Sequence, residues 1–492
     1  MFDFSKILQQ FVYNQQEPIL FNTGFFLFLF TGFMAVYVLL YKTHRAKITF
    51  VTLFSLFFYY KSSGIYFLVL IGSTLVDYTM ANYIFNSKNN LEKKFWLVFS
   101  LVVNLGLLGY FKYTNFVLSI FYGFTNQTFE PLDIFLPVGV SFFTFQSLSY
   151  TIDIYRGALK PVKSIFDYAF FVSFFPQLVA GPIVRAHDFI PQLYKPTFVS
   201  KEMFGRALFL ISCGLFKKAV ISDYISVNFI DRIFDNPTLY SGFENLMGVY
   251  AYALQIYCDF SGYSDMAIGI ALLLGFEFCL NFDSPYQSNN ITEFWRKWHM
   301  SLSSWLRDYL YISLGGNRVG KFRSYINLFI TMLLGGLWHG ASINFIFWGA
   351  LHGTGLATHK YYLEIKNKMS KSFTKFFDNQ WISTLVTFHF VCFCWIFFRA
   401  PNFDIAKQLL NQITSNFNGS IAFTFITSYY KIVLLILLGY ALHLVPKKYE
   451  TISLNWFTQS STKVKLAIML LVIVIFIQVK SAEIQPFIYF QF

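Results

Sequence analysis

Apolar runs close to the ~20 residues that a helix needs to cross a bilayer recur along this chain, separated by short lysine-rich loops. They include Leu20 to Tyr41, Phe95 to Tyr110, Trp381 to Phe398, Ile432 to Val445 and Val464 to Val479. Within hydrocarbon a run of this kind satisfies its backbone N–H and C=O groups internally as a helix, which predicts an all-α polytopic membrane protein. By length, roughly eleven spans or part-spans are expected. Composition agrees: 55% of residues are hydrophobic and 13% charged, where soluble proteins have about 25% charged. The first run follows a segment carrying Asp3, Lys6 and Glu17, with no basic n-region or small-residue cleavage site, so it reads as a retained anchor.

Lys and Arg outnumber Asp and Glu by 38 to 25, which raises the question of nucleic acid. Their placement argues against it. They cluster between apolar runs: Lys42, Arg45 and Lys47; Lys88, Lys93 and Lys94; Lys366, Lys368, Lys371 and Lys375; Lys447, Lys448, Lys463 and Lys465. The positive-inside rule puts these loops in the cytoplasm, and alternation then puts Phe124 to Asp133, Pro401 to Ser420 and both termini outside. Cys213, Cys258, Cys279, Cys392 and Cys394 lie in or beside apolar runs and read as packing residues. No zinc site or other metal site is expected, because Cys392 and Cys394 form CxC with no second pair nearby.

No soluble domain or fixed-period repeat interrupts the chain. We expect one integral-membrane domain, 1–492, with peripheral helices over 1–135, a catalytic core over 136–360, and C-terminal helices with an outward tail over 361–492. Within that core, the turn-rich NFDSPYQSNN precedes an amphipathic pattern in which Phe294, Trp298, Leu302, Trp305 and Tyr309 recur at spacings of three and four. This predicts an interfacial helix, or one lining a wet funnel. Two apolar stretches follow, Ser324 to Trp338 and Ser342 to Thr358. The first, at about 22 Å by helical rise, falls short of a ~30 Å core. Its end should stop at membrane depth, placing His339 on irregular Gly-rich backbone beside a cavity.

Ionisable residues inside a membrane are functional candidates by default. A buried imidazole is held neutral and can act as a general base, which makes His339 the first candidate. His299, on a cation-rich amphipathic helix, reads as a solvated, ligand-contacting or catalytic group. His352, His359, His389 and His443 read as packing residues or interface anchors, and His44 and His187 as water-facing. Asp259 and Asp265 fall on an apolar helix, where an uncompensated charge costs at least ~2.5 kcal/mol. They are expected to bond to Arg or backbone groups and tie helices together. FFPQLVAGPIVR, Phe174 to Arg185, suggests a re-entrant turn. GxSxG, HExxH and the phosphate-loop pattern are absent.

Five segments together resemble the membrane-bound O-acyltransferases. They are LPVGVSFFTFQSLSYTIDIYRG from Leu136, FFPQLVAGPIVR, YCDFSGYSDMAIG from Tyr257, FWRKWHMSLSSWLRDYLYISLGGNR from Phe294 to Arg318, and GGLWHGASINFIFWG from Gly335. Within that family the chain is similar to the bacterial branch that O-acetylates cell-envelope polysaccharides. The resemblance implies a ring of helices, with re-entrant and interfacial helices, around a thinned central funnel in the bacterial inner membrane. It implies that His339 is the family's intramembrane histidine and His299 the second, and that no cofactor is tightly bound. The implied donor is a thioester, most simply acetyl-CoA, drawn in by Arg296, Lys297, Trp298 and Arg318, with Lys321 and Arg323 nearby. Membrane lipids and a soluble extracytoplasmic acetyltransferase are the implied partners. A transporter or flippase for a lipid-linked sugar is the alternative, disfavoured because the Gly-rich histidine turn has no counterpart in the N-terminal half.

The C-terminal PFIYFQF lies beyond the last apolar run, on the outer side by the charge rule. It resembles the acyl-accepting C-terminal motif of the small partner protein in the D-alanylation system, which implies that Tyr489 relays the acyl group. An interfacial aromatic belt is the competing reading.

Overall fold

The computed structural model describes residues 9–15, 18–179, 181–196, 198–368, 375 and 377–479, and all regular structure among them is helical. By length and composition four helical segments can cross a bilayer: His44–Asn86, Asn90–Phe124, Gln380–Arg399 and Thr462–Val479. A fifth is formed if the bent pair Gly419–Ser428 and Tyr430–His443 counts as one span. The sequence-derived figure of about eleven also counted part-spans. The chain is thus a multi-pass all-α membrane protein.

The chain forms two compact units. The first comprises 1–207 and 266–279. Its helices α1 (Gly24–Leu40), α2 (His44–Ser63), α3 (Phe67–Asn86), α4 (Asn90–Leu108) and α5 (Val140–Tyr155) include a mutually packed trio, α3 to α5. That trio closes over a polar knot. Asp77, wholly buried on α3, accepts hydrogen bonds from Ser100 Oγ (2.7 Å) and Asn104 Nδ2 (2.8 Å) on α4. Burial without such donors would cost several kcal/mol. The FFPQLVAGPIVR stretch turns by one short helix, Phe175–Leu178, and Phe175 sits among Phe26, Phe33, Phe54 and Phe58.

The second unit comprises 208–265 and 280–492. It holds most of α6 (Gly242–Leu273), the short helices α7 (Ile291–Lys297) and α8 (Met300–Trp305), then α9 (Lys321–His339), α10 (Ile343–Ile365) and α11 (Gln380–Arg399). Helices α9 and α10 pack most intimately because glycines meet at their crossing. A Cβ on Gly336 would stand 2.2 Å from Phe345 O, and one on Gly349 2.4 Å from Met332 O. Small residues let backbones approach in this way, and dispersion then acts over the whole contact.

Candidate active site

The amphipathic stretch after Asn290 is two helices, where its periodicity suggests one. Asn290 Oδ1 caps α7 by accepting from Glu293 N (2.9 Å), and Glu293 Oε2 accepts from Asn289 N (2.9 Å). Burial alone would raise the Glu293 carboxyl, but the Lys297 ammonium and Asn289 hold it below the ordinary carboxylate range. The helix ends at Trp298, and His299 takes the left-handed conformation, φ 42° and ψ 55°, as N-cap of α8. His299 is 0% exposed, which excludes the solvated one of its three readings. Periodicity missed the break because its cause is a long-range pairing with residues 281–283.

The backbone expected at His339 is corrected too: it is the last residue of a regular helix, and the irregular backbone begins after it, at Gly340. At 2% exposure it lies in an aromatic box. Its ring is edge-on to Trp338 and Trp348 (centroids 5.0 Å each) and to Phe398 (5.4 Å). The His299 ring is 6.3 Å away and also touches Phe260 (4.6 Å). Two imidazoles from motifs forty residues apart therefore share one buried aromatic compartment.

A third histidine adjoins it. His352, read from the sequence as a packing residue, is fully buried with its ring 4.7 Å from Trp348. Trp295 Nε1 can only donate, and it donates to His352 Nδ1 (3.2 Å), so the imidazole proton is on Nε2. Nε2 of His352 and Nε1 of Trp348 have no hydrogen-bond partner among the described residues. Helical spacing from Trp348 was the available signal.

Behind Phe260, α6 is held by lysines, where arginine or backbone partners were expected. Lys218 Nζ pairs with Asp259 (2.5 Å) and Asp223 (2.7 Å), and Lys217 Nζ with Asp265 (2.5 Å). Gly262 between these carboxylates permits the approach, since a Cβ there would lie 2.8 Å from Gly214 O. Buried pairs of this kind fix register more than they stabilise.

A cavity of about 560 Å³ is lined by Trp295, Arg296, Met300, Arg307, His359 and Lys360 among others. Met300, part of that lining, directly follows His299 in the chain. Of the four residues expected to attract a donor, Arg296 lines this cavity. Lys297 pairs instead with Glu293 (2.7 Å), Trp298 is buried against Trp395 (4.9 Å), and Arg318 is exposed outside the lining. Arg307 and Lys360 were missed. Arg307 makes a bidentate contact with Asp308 (2.6 and 3.0 Å), and Lys360 donates to Asn317 Oδ1 (2.7 Å) and to Ser324 Oγ. Thr292 Oγ1 bonds His359 Nδ1 (2.8 Å) at the same wall. Tyr489 lies outside the described residues.

Two buried imidazoles in an aromatic box, with a cation-lined cavity whose wall includes the next residue, Met300, form a candidate intramembrane active site. Comparison with known proteins supplies the class. Residues 158–401 match the family described as MBOAT, membrane-bound O-acyltransferase family. The peptidoglycan O-acetyltransferase of Helicobacter pylori is 40% identical over 422 residues, 80% of this chain and 79% of the relative. The probable alginate O-acetylase of Pseudomonas aeruginosa is 39% identical over 405 residues, 81% and 75%. The teichoic acid D-alanyltransferase of Bacillus subtilis is 30% identical over 285 residues, 54% and 69%. The chain belongs to the membrane-bound O-acyltransferase family, and it is an acyltransferase.

Proposed function

We propose that this protein takes an acetyl group from a cytoplasmic thioester, acetyl-CoA, and passes it across the bacterial inner membrane for O-acetylation of an envelope polysaccharide, peptidoglycan or an alginate-like polymer. The observation that carries the reading is the His299 and His339 pair, 6.3 Å apart in a buried aromatic box beside a cation-lined cavity. Arg296, Arg307 and Lys360 attract the donor's phosphates. Lys360 precedes by less than two turns the lysine-rich loop after Ile365 that the charge rule assigns to the cytoplasm, which supports entry from that side.

In the transfer step His339 takes the proton from an acceptor hydroxyl as its oxygen attacks the thioester carbonyl. The new C–O bond forms, the C–S bond breaks, and the thiolate leaves with the proton returned by the imidazolium. A box without bulk water protects the thioester from hydrolysis. His299 supports the step by contacting donor or acceptor. Tyr489 is the first acceptor, forming an acetyl ester that a soluble extracytoplasmic acetyltransferase then consumes. The names of the relatives, which act on peptidoglycan and alginate, favour a polysaccharide as the final acceptor.

The test is purified protein in nanodiscs with isotope-labelled acetyl-CoA, following free thiol and the mass of the C-terminal peptide. Thiol release with label on Tyr489 is expected. No thiol release from acetyl-CoA overturns the donor assignment, and release without label on the tail overturns the relay.

A further inference from the structure

His299 is one of three non-glycine residues with positive φ among those described, and a second, Ser284 (φ 45°), directly follows the segment paired with it. Residues 281–283 run alongside 297–300. Asp283 N donates to Lys297 O and Met300 N to Asn281 O, each at 2.9 Å, so a backbone hydrogen bond stands on either side of His299. Left-handed backbone in a bulky residue persists only where its surroundings over-determine it.

An N-cap residue ordinarily folds its own side chain back to accept from the second or third amide of its helix. His299 makes no such bond. Asn281 performs that task from outside: its Oδ1 accepts from Ser301 N (3.3 Å) and Ser301 Oγ (2.8 Å), while its Nδ2 donates to Ser264 Oγ (3.1 Å) on α6. Asn281 and Ser264 are each 1% exposed. Ser264 stands one turn beyond Phe260, the residue whose ring meets His299.

We infer that Asn281 is a positioning residue which caps α8 in place of His299, holding the left-handed turn and releasing the imidazole to face His339. The role joins three elements, because one amide group links α6, the strap at 281–283 and the first turn of α8. Cap and strap act on backbone, so their loss should show at residues 299–303 before it shows elsewhere.

The kinetic arm rests on the acyl-transfer reading above; the exchange arm does not. In hydrogen exchange of the full-length protein in nanodiscs, Asn281→Ala should speed exchange at least tenfold in peptides covering 299–303, leaving α9 and α11 unchanged. Asn281→Asp, which keeps the accepting oxygen, should restore most of the protection. In thiol-release kinetics Asn281→Ala should lower kcat tenfold or more with KM nearly constant, and its effect should vanish in the His299→Ala background. Unchanged exchange at 299–303, equal loss in the Asp variant, or an effect on kcat that multiplies fully with His299→Ala would overturn the inference. Should wild-type protein release no thiol, the donor assignment falls, and the exchange arm alone decides the role of Asn281.

Discussion

Gly349→Ala tests whether the close crossing of α9 and α10 places His339. The added methyl would lie 2.4 Å from Met332 O and 3.1 Å from Leu333 Cα, both backbone atoms. Ordinary van der Waals contact needs at least about 3.4 Å, so the helices must part by roughly 1 Å at that point. Overpacking of this kind costs about 1–3 kcal/mol. The displacement acts six to seven residues before His339 on α9, about two turns away, and a misplacement near 1 Å can cost on the order of 10²-fold in rate. Thermal unfolding in detergent, monitored by tryptophan fluorescence, should show a lowered midpoint, and thiol release should fall at least tenfold. Gly72→Ala on α3 is the control: a Cβ there meets nothing within 4 Å, and alanine is the better helix former by ~1 kcal/mol. If Gly349→Ala unfolds and turns over like the wild type, the glycine crossing does not position the site.

Loss of the base in His339→Ala should leave the fold intact, by circular dichroism and unfolding midpoint, and reduce turnover by ~10²–10⁴; near-normal turnover removes His339 from the chemistry. Arg307→Gln with Lys360→Gln should raise the KM for acetyl-CoA with little change in kcat and weaken the dependence of KM on salt; an unchanged KM moves the donor elsewhere. Lys218→Met strands Asp259 and Asp223 without their cation, a change worth about 3–5 kcal/mol of stability, read as a lower unfolding midpoint; a neutral result dissolves the argument that this pair holds α6. Tyr489→Phe should abolish acetyl delivery to an outer acceptor together with thiol release, and undiminished delivery refutes the relay.

Apolar length and lysine placement by themselves determined the class: lipid leaves the backbone no partner but its own helix, and short basic loops do not translocate. Two histidine motifs were equally legible, since a titratable group is rare in such surroundings. Long-range contacts decided the rest. Whether the stretch from Ile291 to Tyr311 is one helix or two turns on Asn281 and Asp283, whose hydrogen bonds reach across the chain to Lys297, Met300 and Ser301. The partners of Asp259 and Asp265 are the lysines 41 and 48 residues earlier, Lys218 and Lys217, and pairing at that distance leaves no periodic trace. Basic residues near the WRKWH motif looked equivalent in sequence, yet Arg296 lines the cavity while Lys297, one position on, is turned to Glu293 by helical geometry. Arg307, in the segment just after α8, and Lys360, on α10, line one cavity only because those two elements meet there, and His352 of α10 meets Trp295 of α7 by the same kind of long-range contact. A repeating pattern records which residues share a face of one element; it does not record which element that face will meet, and here the chemistry is assembled where several such faces meet.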